Sequence, residues 1–197
     1  MTKRSGIPRL RLPLVGRRLL LRASGPADAA NIARTLSDRR VARLSGLPTT
    51  SGYSIHDARR FVRRSRKGLN DGSTCYLSII LRGTGELVGG CGFDPIRFDN
   101  RNAHIGYWIA RSHWGNGYAS EAASLLIAAG FRDLGLRRVY TAVLPENVRS
   151  IRLLRRLGFR TEGRARQDRL VDGRYRDLVL FGLLREQYRP FRPPRDP

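Results

Sequence analysis

The sequence predicts an α+β (mixed α/β) fold, with one mixed sheet flanked by helices in a single domain. Strand-like and helix-like segments alternate along the chain, so helices cross between strands. Tyr118, Ala122, Leu125, Leu126 and Ala129 recur at helical spacing and mark one face of a helix reaching about Asp133. A length of 197 residues, 41% hydrophobic, suits one domain with a real core and short tails.

The elements follow in order. Residues 1–16 are basic and interrupted by Pro8 and Pro13, and read as a loose N-terminal arm. Arg18–Arg22 is a short strand. Pro26 opens a helix to about Leu36, because the fixed φ of proline suits the first helical position. Ser54 caps a second helix through about Lys67, stopped by Gly68, with Ala58, Phe61 and Val62 as its apolar stripe. Thr74–Leu81 is rich in β-formers, and Glu86–Gly92 follows a Gly83-Thr84-Gly85 turn, so the pair reads as a hairpin. Asn102–Ala110 and Arg138–Val143 are further strands. Asn147–Leu157 is a helix ended by Gly158. Arg164–Leu170 and Asp177–Leu184 are strands joined by an Asp172-Gly173 turn. Prolines in 189–197 remove backbone donors, so this stretch reads as a disordered tail after a 17–188 domain. No internal repeat is evident.

Several function classes drop out. No run of about 18 apolar residues is present, so no transmembrane helix is expected. No signal-peptide stretch precedes Arg17 and Arg18, which points to a soluble cytoplasmic protein. Cys75 and Cys91 sit in apolar runs without a CxxC or a Cys/His cluster, so they read as buried thiols, with no metal site. The net charge of +22 suits a polyanionic partner such as RNA. Only Lys3 and Lys67 are lysines, however, and the arginines are scattered through every segment. The charge therefore reads mainly as a compositional habit, and a ribosome-associated substrate fits either view.

The segment Trp108-Ile109-Ala110-Arg111-Ser112-His113-Trp114-Gly115-Asn116-Gly117-Tyr118-Ala119 joins a strand to a helix. Glycines at alternate positions let the backbone turn tightly and approach a ligand. The free N–H groups of a helix start attract anions, and a pyrophosphate suits them. Taken alone, the turn is equally compatible with an ordinary glycine-rich connection, being neither a GxGxxG nor a P-loop.

Trp114-Gly-Asn-Gly-Tyr-Ala119 resembles the Arg/Gln-x-x-Gly-x-Gly/Ala motif of the GNAT superfamily. Asn147-Val-Arg-Ser150-Ile-Arg-Leu-Leu-Arg-Arg-Leu-Gly158-Phe159 resembles its second signature, an Asn opening a helix that ends in Gly-Phe. Arg18-Leu-Leu-Leu-Arg22, Gly106-Tyr107-Trp108 and Asp172-Gly-Arg-Tyr-Arg-Asp177 are similar to the branch that acetylates the N-termini of ribosomal proteins. The resemblance covers about Arg17 to Tyr188. It implies a mostly antiparallel sheet of about seven strands, with splayed central parallel strands and about four helices. It implies acetyl-coenzyme A as co-substrate, with its pyrophosphate at Trp114–Ala119. The pantetheine would pair with Trp108, Ile109, Ala110 and Arg111 as an added strand does.

The chemistry needs a base for the amine, a donor for the thioester oxygen and, where useful, a proton for the thiolate. Asn147 is a natural N-cap, and the resemblance adds a cofactor contact. Ser150 matches a serine near the thiol sulfur; the alternative is a capping-turn serine facing solvent. Many family members carry a Tyr one turn later, where this chain has Leu154. His104 stands where much of the branch has Glu. A neutral imidazole there suits base work, or it is an ordinary strand histidine. A second family carboxylate falls at Arg169, although Asp168 adjoins it. Arg111, Arg152 and Arg155 could reach phosphates, while for Arg152 and Arg155 a solvated helix face is the alternative. His56 and His113 look peripheral. Asp94, Asp99 and Asp168 are the acids available at a substrate mouth. The expected acceptor is a protein N-terminal α-amine of ribosomal type, in a monomer or homodimer. The alternatives are a small-molecule amine, or a catalytically weak RNA- or ribosome-binding module.

Overall fold

A computed structural model describes residues 7–47 and 52–190. Eight strands and five α-helices lie among them. In chain order these are β1 (Leu14–Val15), β2 (Leu19–Ala23), α1 (Ala29–Leu36), α2 (Arg39–Leu44), α3 (Ile55–Asp71), β3 (Cys75–Leu81), β4 (Leu87–Arg97), β5 (Asn102–Ile109), α4 (Tyr118–Asp133), β6 (Arg138–Val143), α5 (Val148–Arg156), β7 (Arg160–Val171) and β8 (Arg174–Leu184). They form one sheet in the order β1-β2-β3-β4-β5-β6-β8-β7. Every pairing is antiparallel except β5 with β6.

The alternation along each strand assigns the faces. Leu77 and Ile79 of β3 and Ala103 and Ile105 of β5 are fully buried with Ala122, Leu126 and Ile127 of α4. Their neighbours Ser78, His104 and Trp108 look the other way, toward α1, α2 and α3. There Ile32, Leu36, Val41 and Val62 form a second core against Trp108. The site lies at the splay between β5 and β6. Their parallel register runs Asn102↔Arg138, Ala103↔Val139 and His104↔Tyr140 and ends there. Beyond it β5 continues to Ile109 and β6 to Val143 without pairing to each other.

Several expectations need correction. The 1–16 segment is not loose throughout: Leu14 and Val15 pair with Leu21 and Leu20, and Arg11 bonds Asp133 through Nε at 3.0 Å. Residues 1–6 of the arm and 191–197 of the tail lie outside the described residues. Gly68 does not stop α3, which continues to Asp71 and ends at Gly72 with φ 78°. Gly68 is buried against Thr74, so its missing side chain serves packing. Helix α2 was not expected; Asp38 caps it by accepting from the amides of Arg40 at 2.8 Å and Val41 at 3.2 Å. The 26–36 helix opens with a 3-10 turn at Pro26–Asp28. β7 and β8 start earlier than expected, at Arg160 and Arg174. The Asp172-Gly173 turn holds, with both residues at positive φ, 50° and 73°.

Candidate active site

β5 ends at Ile109, and one 3-10 turn later the chain reaches Trp114, whose indole Nε1 donates to the Ile109 carbonyl at 2.8 Å. Gly115 and Gly117 then take φ 89° and 74°, which L side chains rarely adopt. Gly117 is the N-cap of α4 and offers no side-chain cap. The first bond back into the turn runs from the Glu121 amide to the Gly117 carbonyl at 3.1 Å. The amides of residues 115–120 have no acceptor among the described residues. Six main-chain donors thus stand at the positive end of a 16-residue helix.

A cation reinforces them. Arg18 lies with its guanidinium carbon 4.9 Å from the centre of the Tyr118 ring. A Cβ built on Gly117 would stand 3.5 Å from Arg18 Nη2. The buried Glu121 carboxylate fixes this arginine, accepting from Arg18 N at 2.8 Å and Nε at 3.0 Å. Free amides beside a held guanidinium are what a diphosphate requires, so the residues present fit coenzyme A.

A cavity of about 360 Å³ runs from this turn to the splay, between α4 and α5. Trp108, Ile109 and Trp114 line it, as do Gly115, Gly117, Tyr118 and Ala119 at the turn. Asn147 and Ser150 line it from α5. Asn147 is the expected cap, accepting from the Ser150 amide at 3.2 Å. Ser150 does not face solvent: it is buried, and its Oγ lies 2.7 Å from Tyr107 Oη. Burial pushes the Tyr107 phenol up to about 12, against a smaller opposing pull from the Ser150 bond. Tyr107 therefore stays protonated and keeps its donor.

Three expected residues are not on this cavity. The Ala110 amide bonds the Val88 carbonyl at 2.8 Å, which ties Ala110 to β4. The same alternation turns the main-chain groups of Tyr107 and Ile109 toward the splay. Arg111 reaches instead toward Asp38, at 3.8 Å. The Asn116 side chain turns back to the His113 carbonyl at 3.3 Å. Among the arginines, Arg152 lines the cavity and Arg155 does not, while Arg149 and Arg156 join it. Arg149 stacks its guanidinium 5.1 Å from the Trp114 ring centre. His113 also lines the cavity, with Nδ1 3.0 Å from Ser112 Oγ. His56 lines neither this cavity nor the next.

A second cavity of about 240 Å³ opens beside the first, beneath α1 and α3. Tyr107 and Trp108 line both cavities and form the wall between them. His104 lines the second, with Nδ1 3.1 Å from the Asp94 carbonyl. A carbonyl only accepts, so this bond places the proton on Nδ1 and leaves the lone pair on Nε2. Burial lowers the His104 pKa from its usual 6.5, and the Arg169 charge acts in the same direction. The Asp94 carbonyl bond opposes them. Arg169, where the resemblance calls for a carboxylate, thus favours the neutral imidazole. Of the expected acids, Asp94 lines this cavity and accepts from Tyr76 Oη at 2.6 Å; Asp99 and Asp168 do not line it.

Reading the sequence missed Tyr107 as a partner of Ser150, Arg18 at the turn, and the α2 residues Val41 and Leu44 over the first cavity. Of these, only Tyr107 carried a local signal. It lies an odd number of residues from His104, so the two point to opposite faces of one strand.

A splayed parallel pair, a helix start with free amides, and hydroxyl and imidazole groups on either side of one wall define a coenzyme A-dependent acyltransferase. The family described as "Acetyltransferase (GNAT) domain" matches residues 18–160, and the chain belongs to it. The protein is a GNAT N-acetyltransferase with acetyl-coenzyme A as co-substrate. It is 37% identical over 171 residues to the "Uncharacterized N-acetyltransferase p20" of Bacillus licheniformis, covering 87% of this chain and 95% of that protein. It is 33% identical over 122 residues to the "[Ribosomal protein uS5]-alanine N-acetyltransferase" of Escherichia coli, covering 61% and 63%. Mycobacterium smegmatis RimJ, solved in complex with CoA-disulfide, superposes with a TM-score of 0.77 at 29% identity, covering 90% of this chain and 86% of that one.

Proposed function

We propose that the acetyl acceptor is the α-amine of a protein N-terminus, of the kind ribosomal proteins present in the cytoplasm. The observation that carries this reading is the composition of the second cavity. It offers one carboxylate, Asp94, and one guanidinium, Arg64, among Tyr53, Phe61, Tyr76 and Trp108. One carboxylate suits one ammonium group. A polyamine or aminoglycoside brings several cations, which would meet Arg64 and a chain of net charge +22. The relative named for alanine N-acetylation of a ribosomal protein supports the same class.

The residues divide the chemistry across the Tyr107 wall. The amides at Gly115–Ala119 and Arg18 hold the diphosphate, and Asn147 adds a contact from α5. The main-chain groups of Tyr107 and Ile109 pair with the pantetheine arm, although Trp114 already occupies the Ile109 carbonyl. His104 Nε2 accepts the proton that leaves the ammonium, directly or through a water. Tyr107 Oη–H donates to Ser150 Oγ, which frees the Ser150 O–H to donate to the departing thiolate.

The test is a free-thiol release assay with acetyl-coenzyme A, using peptides that differ in their first residue, with spermidine and an aminoglycoside as separate arms. We expect kcat/KM for the better peptides to exceed that for either polycation by at least about tenfold. Turnover of the polycations alone would overturn the peptide assignment.

A further inference from the structure

The acceptor-side face of β4 and β5 carries three glycines, Gly90, Gly92 and Gly106, and they differ in what their missing side chains accommodate. A Cβ on Gly90 would strike the Trp108 indole at 2.8 Å. A Cβ on Gly92 would strike the Cys75 carbonyl oxygen first and the Tyr76 ring at 2.6 Å. The packing therefore accounts for both glycines: the Trp108 ring lies close to Gly90, and the neighbouring strand's Cys75 carbonyl and Tyr76 lie close to Gly92. Gly106 stands directly opposite Gly92 in the register and between His104 and Trp108 on the same face. A Cβ there would meet no atom within 4 Å beyond its chain neighbours Ile105 and Tyr107. Its φ is not among the positive ones, so the backbone does not require glycine either. A glycine inside a strand weakens the strand, and here neither packing nor conformation accounts for it. What remains is room for something that approaches the strand closely. Gly106 lines the second cavity, on the same strand face as His104 and next in sequence to Tyr107.

We infer that Gly106 is a specificity-determining residue, its open space receiving the carbon that bears the reactive amine together with that carbon's substituent. This deepens the acceptor assignment above and rests on it for the substrate class. The first residue of the acceptor peptide lies over Gly106, walled by Trp108 on one side and His104 on the other. The wall positions bring its nitrogen to the imidazole, and the height above the strand sets how large its side chain can be. Small first residues fit, and a methyl or isopropyl group built onto the strand floor takes that room away.

The experiment uses the full chain with Gly106→Ala and Gly106→Val. Peptides beginning with Gly, Ala, Ser and Leu are compared by acceptor KM and kcat, and acetyl-coenzyme A binding is followed by calorimetry. For Gly106→Ala, acceptor KM should rise by about tenfold for Ala- and Ser-first peptides and more for larger residues, a graded series that a merely structural role would not produce. Gly106→Val should abolish acceptor use. Acetyl-coenzyme A should bind both variants within about twofold of the parent affinity, because Gly106 lines the second cavity and not the first. Unchanged acceptor KM in both variants would overturn the inference. So would parallel loss of acetyl-coenzyme A binding and of folding, which would make the glycine a requirement of the strand. If the wild type acetylates only a polycation, the peptide assignment fails by itself. Gly106→Ala measured with that amine then still decides the role of the glycine, since its KM must rise.

Discussion

Tyr107 Oη lies 2.7 Å from Ser150 Oγ, across the opening where β5 and β6 part company. The two residues come from different elements, β5 and α5, and both line the cavity that begins at the Gly117 turn. Leu154, where the resemblance to the family calls for a tyrosine, is fully buried.

This pairing makes a kinetic prediction. Ser150→Ala removes the donor to the thiolate and should lower kcat by about tenfold to a hundredfold, with acetyl-coenzyme A affinity little changed. Tyr107→Phe keeps the ring and loses only the hydroxyl, so it should lower kcat less. The double variant should be no worse than Ser150→Ala alone, since the two act as one unit. Steady-state rates and calorimetry on the four proteins check this; additive losses would mean that the hydroxyls act separately.

His104 predicts the pH dependence. Its folded pKa lies below the ordinary 6.5, chiefly through burial. The imidazole is therefore neutral above 6.5, and if it takes the amine proton as proposed, kcat/KM should fall on the acid side only as pH drops through that lowered value. His104→Ala should remove this acid limb along with most of the rate. Stability follows the same sign. Between the lowered folded pKa and 6.5 the unfolded chain binds more protons than the folded one. The His104 contribution is thus complete above 6.5 and lost as pH falls through the folded pKa. Denaturant midpoints of wild type and His104→Ala, measured at several pH values, should converge toward acid.

The phosphate turn can be tested without activity. Gly117→Glu forces a side chain onto φ 74° and brings a carboxylate to Arg18, whose Nη2 would stand 3.5 Å from the new Cβ. The variant supplies its own anion to the site. Acetyl-coenzyme A binding by calorimetry should weaken by at least about a hundredfold. Retained affinity would mean that the diphosphate lies elsewhere.

The parts that were legible in the sequence are those governed by local periodicity and punctuation. The bounds of α4 and β6, Tyr118–Asp133 and Arg138–Val143, are those the spacing predicts, because glycines and an unbroken apolar pattern delimit them. The turn at Gly115 and Gly117 was legible for the same reason, and so was the Asn147 cap. What escaped depends on distant partners. β1 is two residues long and is held by Leu21 and Leu20. The resemblance offers Ala110 and Arg111 to the cofactor, but that the Ala110 amide bonds Val88 and the Arg111 side chain reaches toward Asp38 is visible only in the fold. The tautomer of His104 depends on a carbonyl ten residues away that only the fold brings near. Asp38 is the local mark of α2, an N-cap residue standing directly before it.

Gly68 shows how a helix-stop residue can sit inside a helix, and it yields a stability prediction. Replacing an interior helical glycine with alanine ordinarily stabilises by about 1 kcal/mol. Here a Cβ would overlap Thr74 Oγ1 and stand 3.1 Å from Thr74 Cβ. Gly68→Ala should therefore destabilise by about 1–3 kcal/mol, the cost of overpacking exceeding the helical gain. Thr74 Oγ1 is itself buried and has no hydrogen-bond partner among the described residues. Thr74→Ala removes that atom, so it should be close to neutral alone and should relieve much of the clash in the double variant. A double-mutant cycle in urea would then give a coupling of about 1 kcal/mol favouring the pair. Zero coupling, or a stabilised Gly68→Ala single variant, would mean that α3 can shift away from β3 at no cost.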